Sequence, residues 1–97
     1  MIFVKKIEWI DIDTKEAEVT LSDNQYELVC FSDEFFGKIG GKFDDMLYAI
    51  VDGDVYKSED KLFLVKHLNS FEYFIIAKII DKTRNIAQVG EFLINIG

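Results

Sequence analysis

At 97 residues, with 49% hydrophobic and 14% aromatic side chains, the chain is of single-domain size and has the bulk to fill a core without staples. Eighteen acidic against eleven basic residues leave a net charge of −7, which opposes polyanions, whose binding rests on phosphate neutralisation. One cysteine excludes an internal disulfide framework, and no apolar run reaches the roughly 18 residues a membrane-spanning helix needs.

The charge is uneven. Between Glu8 and Asp60 there are fifteen acids and four lysines, whereas residues 1–7 and 61–97 each carry a net +2. The opening MIFVKKIEW has no basic region followed by a long apolar run, so it does not predict a signal peptide. Together with the lone cysteine this predicts an intracellular, cytoplasmic chain, and the Lys-rich, Ile-rich, Arg-poor usage suits an AT-rich bacterial genome.

Residues 2–12, IFVKKIEWIDI, predict a first strand whose alternation breaks twice. Bulges near Lys5-Lys6 and Trp9-Ile10 reconcile the pattern, and bulges bend strands. After a tight connection at Asp13–Glu16, residues 17–22 alternate cleanly, with Ala17, Val19 and Leu21 inward and Glu18, Thr20 and Ser22 outward. Ser22–Gln25 has turn chemistry, and Tyr26–Ser32 predicts a third strand. Residues 33–43, DEFFGKIGGKF, are irregular but too apolar for a solvated loop, so they are expected to lie across an open end of the core. Asp44–Val51 predicts a strand, and Asp52-Gly53 a hairpin turn with a short return over Asp54–Lys57. Ser58–Lys61 can cap a short helix running to about residue 68, although KLFLVKHL also alternates as a strand would.

The last third, residues 71–96, predicts a long antiparallel hairpin that folds back at Asp81–Asn85. Phe71–Ile80 is apolar on both faces, as a central strand covered on both sides would be. On the return strand Gly90 marks a bulge or a sharp bend. The expected fold is therefore mainly β: one small antiparallel, bent-strand barrel spanning residues 1–97, with about six or seven strands and one short helix. This element order, with its bent first strand, resembles the OB-fold type of Greek-key barrel; an open roll or a sandwich fits almost as well.

No pattern names a chemistry. GxSxG, HExxH, P-loop and GxGxxG motifs are absent, so neither an enzyme nor a cofactor is expected. Asp11, Asp13, Glu16 and Glu18 crowd the first turn and could hold a hard cation, but a solvated turn explains them without one. Asp44-Asp45 and Asp52-Gly53-Asp54 lack the spacing of an EF-hand, and no metal is expected. His67, the one histidine, has no sequence partner, and Cys30 sits in an apolar run as a small buried hydrophobe.

Two function classes remain, with a third disfavoured. The first is a protein-binding module whose acidic face meets a basic protein, with Asp11, Asp13, Glu16, Glu18, Asp44 and Asp45 supplying charge and Phe35, Phe36 and Tyr56 supplying anchors. Immunity-type inhibitors of toxic nucleases are similar in size and charge. The second is a barrel binding a small apolar or cationic ligand under the 33–43 loop. The resemblance to OB-type barrels also implies single-stranded nucleic-acid binding through aromatics such as Trp9, Phe31 and Tyr48, which the net charge disfavours. Self-association through an unpaired strand edge is a duller alternative to these, and the oligomeric state is left open.

Overall fold

The structure is a computed structural model, and it describes residues 1–49, 64–69 and 72–97. Ten strands are present and no helix occurs among the described residues: β1 (Ile2–Asp11), β2 (Glu16–Ser22), β3 (Glu27–Ser32), β4 (Lys42–Phe43), β5 (Leu47–Tyr48), β6 (Leu64–Asn69), β7 (Glu72–Ile76), β8 (Lys78–Asp81), β9 (Ile86–Val89) and β10 (Phe92–Asn95). They form a curled sheet of order β3-β2-β1-β4, a second of order β5-β10-β9-β8, and the β6–β7 pair.

The first sheet follows the expected meander. Register shifts between Val4 and Lys6, and between Trp9 and Asp11, place bulges where the alternation breaks. The first returns Ile7 and Trp9 to the face of Val4: Val4 pairs with Leu21, Ile7 with Val19, and Trp9 with Ala17. Ala17, Val19 and Leu21 are buried as expected. Ser22 is not outward but buried, because the turn folds over it and the Asn24 N–H donates to its Oγ at 3.1 Å.

The core lies between this sheet and the β9–β10 hairpin. Ile2, Val4, Ala17, Val19, Leu21 and Leu28 meet Val89, Phe92 and Ile94, with Phe35, Phe43, Val65, Tyr73 and Ile75 packed at its margin. Burial of side chains of this size supplies roughly 1.5–3 kcal/mol each.

The expected closed barrel is instead a half-barrel. β1 pairs with β4 over only two residues, and β4 does not continue into the second sheet. Among the described residues the strands exceed the expected six or seven because two long runs are cut and because β4 and β6 form where a loop and a helix were expected. Within the expected run 71–80, described from residue 72, the strand breaks at Ala77: β7 pairs with β6, while β8 is the outer strand of the second sheet, with Ile79 and Ile80 exposed rather than covered on both sides. The return strand breaks at Gly90, where β9 and β10 fold onto each other with Val89 opposite Phe92.

The expected helix ending near residue 68 is also overturned. Residues 64–69 pair antiparallel with Glu72–Ile76, Val65 facing Ile75. An adjacent β-branched partner strand outweighs a helix for a segment that alternates. Of the expected strand over Asp44–Val51, Leu47–Tyr48 pairs parallel with Ile94–Asn95, residues 44–46 and 49 are not strand, and residues 50 and 51 lie outside the described residues. The Asp52-Gly53 hairpin, its return over Asp54–Lys57, and residues 58–63 fall outside the described residues.

A buried carboxylate joins the two sheets. The Asp23 side chain, almost buried, accepts the N–H groups of Gln25 (2.9 Å) and Tyr26 (2.7 Å) on Oδ1, and that of Glu91 (2.9 Å) on Oδ2. The β2–β3 turn is thereby fastened to the β9–β10 turn, 68 positions away. Gly90 makes the approach feasible: its φ is +55°, and a Cβ there would run into Asp23 Oδ2 and the Tyr26 ring. Burial raises the Asp23 pKa, but the donated N–H groups outweigh it and hold the carboxyl below its ordinary value.

Asp23→Ala leaves three amides without their acceptor and should lower unfolding stability by about 2–3 kcal/mol in urea denaturation. Because the folded pKa is depressed, the wild-type contribution is complete above the unfolded value and fades as pH falls below about 4; in Asp23→Ala this component of the acid sensitivity should vanish. Gly90→Ala should destabilise by a similar amount, about 2–3 kcal/mol, through left-handed strain and displacement of the carboxylate.

Candidate docking end of the first sheet

The far end of β1 and β2 is built by the sequence's crowded first turn. Asp11 closes it: its Oδ1 accepts the N–H of Asp13 at 2.9 Å and, more weakly, that of Thr14 at 3.4 Å. Lys15 completes the turn at φ 67°, and Glu16 Oε1 accepts the Thr14 hydroxyl at 3.2 Å. The Lys15 carbonyl then accepts the Phe35 N–H at 2.9 Å, which draws the 33–41 loop against the same end. The loop therefore covers the core only in part: Phe35 and Phe43 pack against it, whereas Phe36 is 74% exposed and Ile39 also faces solvent.

Strand register sets the outer face here. Glu8 lies directly opposite Glu18, and Glu18 opposite Phe31, in a row across β1, β2 and β3. Like charges facing each other across a strand pair destabilise it. Phe31 is 53% exposed, and the bulge and turn leave Ile10 and Ile12 exposed beside them. At the rim of the opposite face Trp9 stacks obliquely on Phe35, with ring centres 6.4 Å apart and planes at 49°. Lys15 Nζ sits over the Trp9 ring, 5.4 Å from its centre. Residues 8–18 and 31–36 together hold seven carboxylates and one lysine, a net of −6.

Of the expected partner-binding residues, the structure brings Asp11, Asp13, Glu16, Glu18, Phe35 and Phe36 to this one end. Asp44 and Asp45 are elsewhere, since Lys42 and Phe43 pair with Phe3 and Ile2 at the other end of β1, roughly 25 Å away by strand rise. Both have local roles, Asp44 lying 4.0 Å from Lys42 and Asp45 accepting the Met46 N–H at 2.8 Å. Tyr56 lies outside the described residues. Glu8, Ile10, Ile12 and Lys15 join the site without having been singled out for it. The broken alternation at Trp9-Ile10 was the available signal, because a bulge frees an apolar side chain from the core.

Elsewhere the surface offers a shallow depression of about 220 Å³ lined by Phe3, Lys5, Ser22, Asn24, Gln25 and Glu27, spanned by a Lys5–Glu27 ion pair at 2.5 Å. It lies outside the core rather than under the 33–43 loop. Cys30 is partly buried at the margin of the core, and desolvation pushes its thiol up to about 11. Among the described residues, no three His, Cys, Asp or Glu side chains are grouped to hold a metal ion, and no helix is long and apolar enough to cross a membrane. In comparisons with known proteins, the chain matches no family model, no curated protein and no solved structure.

The adjacent phenylalanines should separate cleanly by mutation. Phe36→Ser should change stability by less than about 0.5 kcal/mol, whereas Phe35→Ser should cost about 1–2 kcal/mol for the part of its ring packed against the core. Thermal or urea unfolding of the two variants measures this.

Proposed function

We propose that the chain is a protein-binding module and that the β1–β2 turn end, with the 31–36 segment, is the surface that meets a basic partner. The observation that carries this reading is the Glu8–Glu18 opposition beside exposed Phe31. A pair of carboxylates held face to face weakens the free sheet. A cationic partner converts that repulsion into attraction, and desolvation by flanking apolar side chains strengthens it. Phe31, Phe36, Ile10 and Ile12 supply the apolar contact, since exposed aromatic and aliphatic groups amid charge are the usual anchors of such surfaces. Association would be fast and salt-sensitive. An immunity-type inhibitor of a basic nuclease is one form of this reading that fits the size and charge.

Glu18→Gln should raise the stability of the free protein by about 0.2–1 kcal/mol and at the same time weaken capture of basic proteins. The measurement pairs urea unfolding with affinity capture from lysate at low and physiological salt, using wild type and Glu18→Gln. Captured proteins should be basic and should elute as salt rises. A captured set that is acidic, or that holds at high salt and is indifferent to Glu18→Gln, would contradict the reading.

A further inference from the structure

The Trp9 ring already holds a cation. Lys15 Nζ lies 5.4 Å above its centre, within the range of a cation–π contact, while Phe35 braces the ring at 6.4 Å. Trp9 remains 37% exposed, so the braced ring is reachable from solvent. Around it in chain and register, Glu8 and Asp11 flank Trp9 on β1, Glu16 and Glu18 flank its partner Ala17 on β2, and Asp33 and Glu34 precede Phe35. These charges fall within about a Debye length of the ring and raise the local concentration of cations.

We propose that Trp9 is the receptor for an arginine side chain of the partner, with Lys15 as the internal stand-in that occupies the ring in its absence. This rests on the docking reading above and adds to it the identity of one anchor. A guanidinium is planar and more weakly hydrated than an ammonium, so it stacks on an indole more favourably than lysine does. Arginine therefore displaces Lys15, and the freed ammonium moves into solvent. Lysine-rich partners gain less, because they replace one ammonium by another.

The chain has a single tryptophan, so intrinsic fluorescence reports on this ring directly. The probes are tetra-arginine and tetra-lysine peptides, titrated at low salt by fluorescence and by calorimetry. Tetra-arginine should alter the fluorescence saturably and bind more tightly than tetra-lysine. Trp9→Leu should weaken tetra-arginine binding by calorimetry by about threefold to tenfold. Lys15→Asn suits the left-handed backbone at this position, removes the stand-in, and should tighten binding. Lys42→Asn makes the same charge change at the other end of β1 and should tighten it less.

Tetra-arginine binding that leaves the fluorescence unmoved and is indifferent to Trp9→Leu would overturn the arginine receptor while leaving the acidic docking surface standing. Equal tightening by Lys15→Asn and Lys42→Asn would also overturn it, since net charge alone would then explain the gain. Absence of binding by either peptide would overturn both readings.

Discussion

The architecture depends on a carboxylate. Asp23 sits where the first sheet turns from β2 to β3, and its two oxygens collect amide hydrogens from its own turn and from Glu91 in the hairpin of the second sheet. Apolar burial between the sheets is larger in total but has no direction. The Asp23 bonds have direction, and they fix which turn meets which. Gly90 is the other half of the device, since only a residue without Cβ lets the carboxylate reach the loop. The Met1 ammonium bonded to Glu91 adds a second, exposed tie at the same corner.

With that corner held, the opposite end of β1 is free to carry charge. Burial is concentrated around Leu21, Val89 and Phe92, whereas the β1–β2 turn end holds exposed Ile10, Ile12 and Phe36 among its carboxylates. The fastened corner and the charged, partly apolar end thus lie at different ends of one bent strand. The two bulges connect them: the first keeps Ile7 and Trp9 in phase with the core, and the second releases Ile10 and turns Asp11 toward Glu16. A straight β1 would bury or expose these groups in the wrong order, because a one-residue slip exchanges the two faces.

Local signals made the first third of the fold legible. Period breaks at Lys5-Lys6 and Trp9-Ile10 locate real bulges, and the clean alternation of 17–22 locates the buried row, because both are properties of neighbouring residues. Long-range pairing was not legible. Nothing beside Gly90 in the chain announces a hairpin loop there, since the acceptor that accommodates it is Asp23. Residues 64–68 carry alternation compatible with either state, and the partner strand 72–76 decides for β. Seven of the acids met in the sequence do gather at one end, but Asp44 and Asp45 do not, because β4 pairs with the start of β1 rather than its end. The barrel expectation failed for a related reason: closure needs long edge pairings, and β4 supplies two residues.

The joint between the two sheets is a multiply bonded carboxylate held below its ordinary pKa. An acid titration by NMR tests this most directly, following the Asp23 carboxyl carbon together with the Gln25, Tyr26 and Glu91 amide protons. One shared midpoint for all four resonances, below the ordinary aspartate value, is the predicted result. A midpoint at or above that value, or a Glu91 amide that does not move with the Asp23 carboxyl, would contradict it.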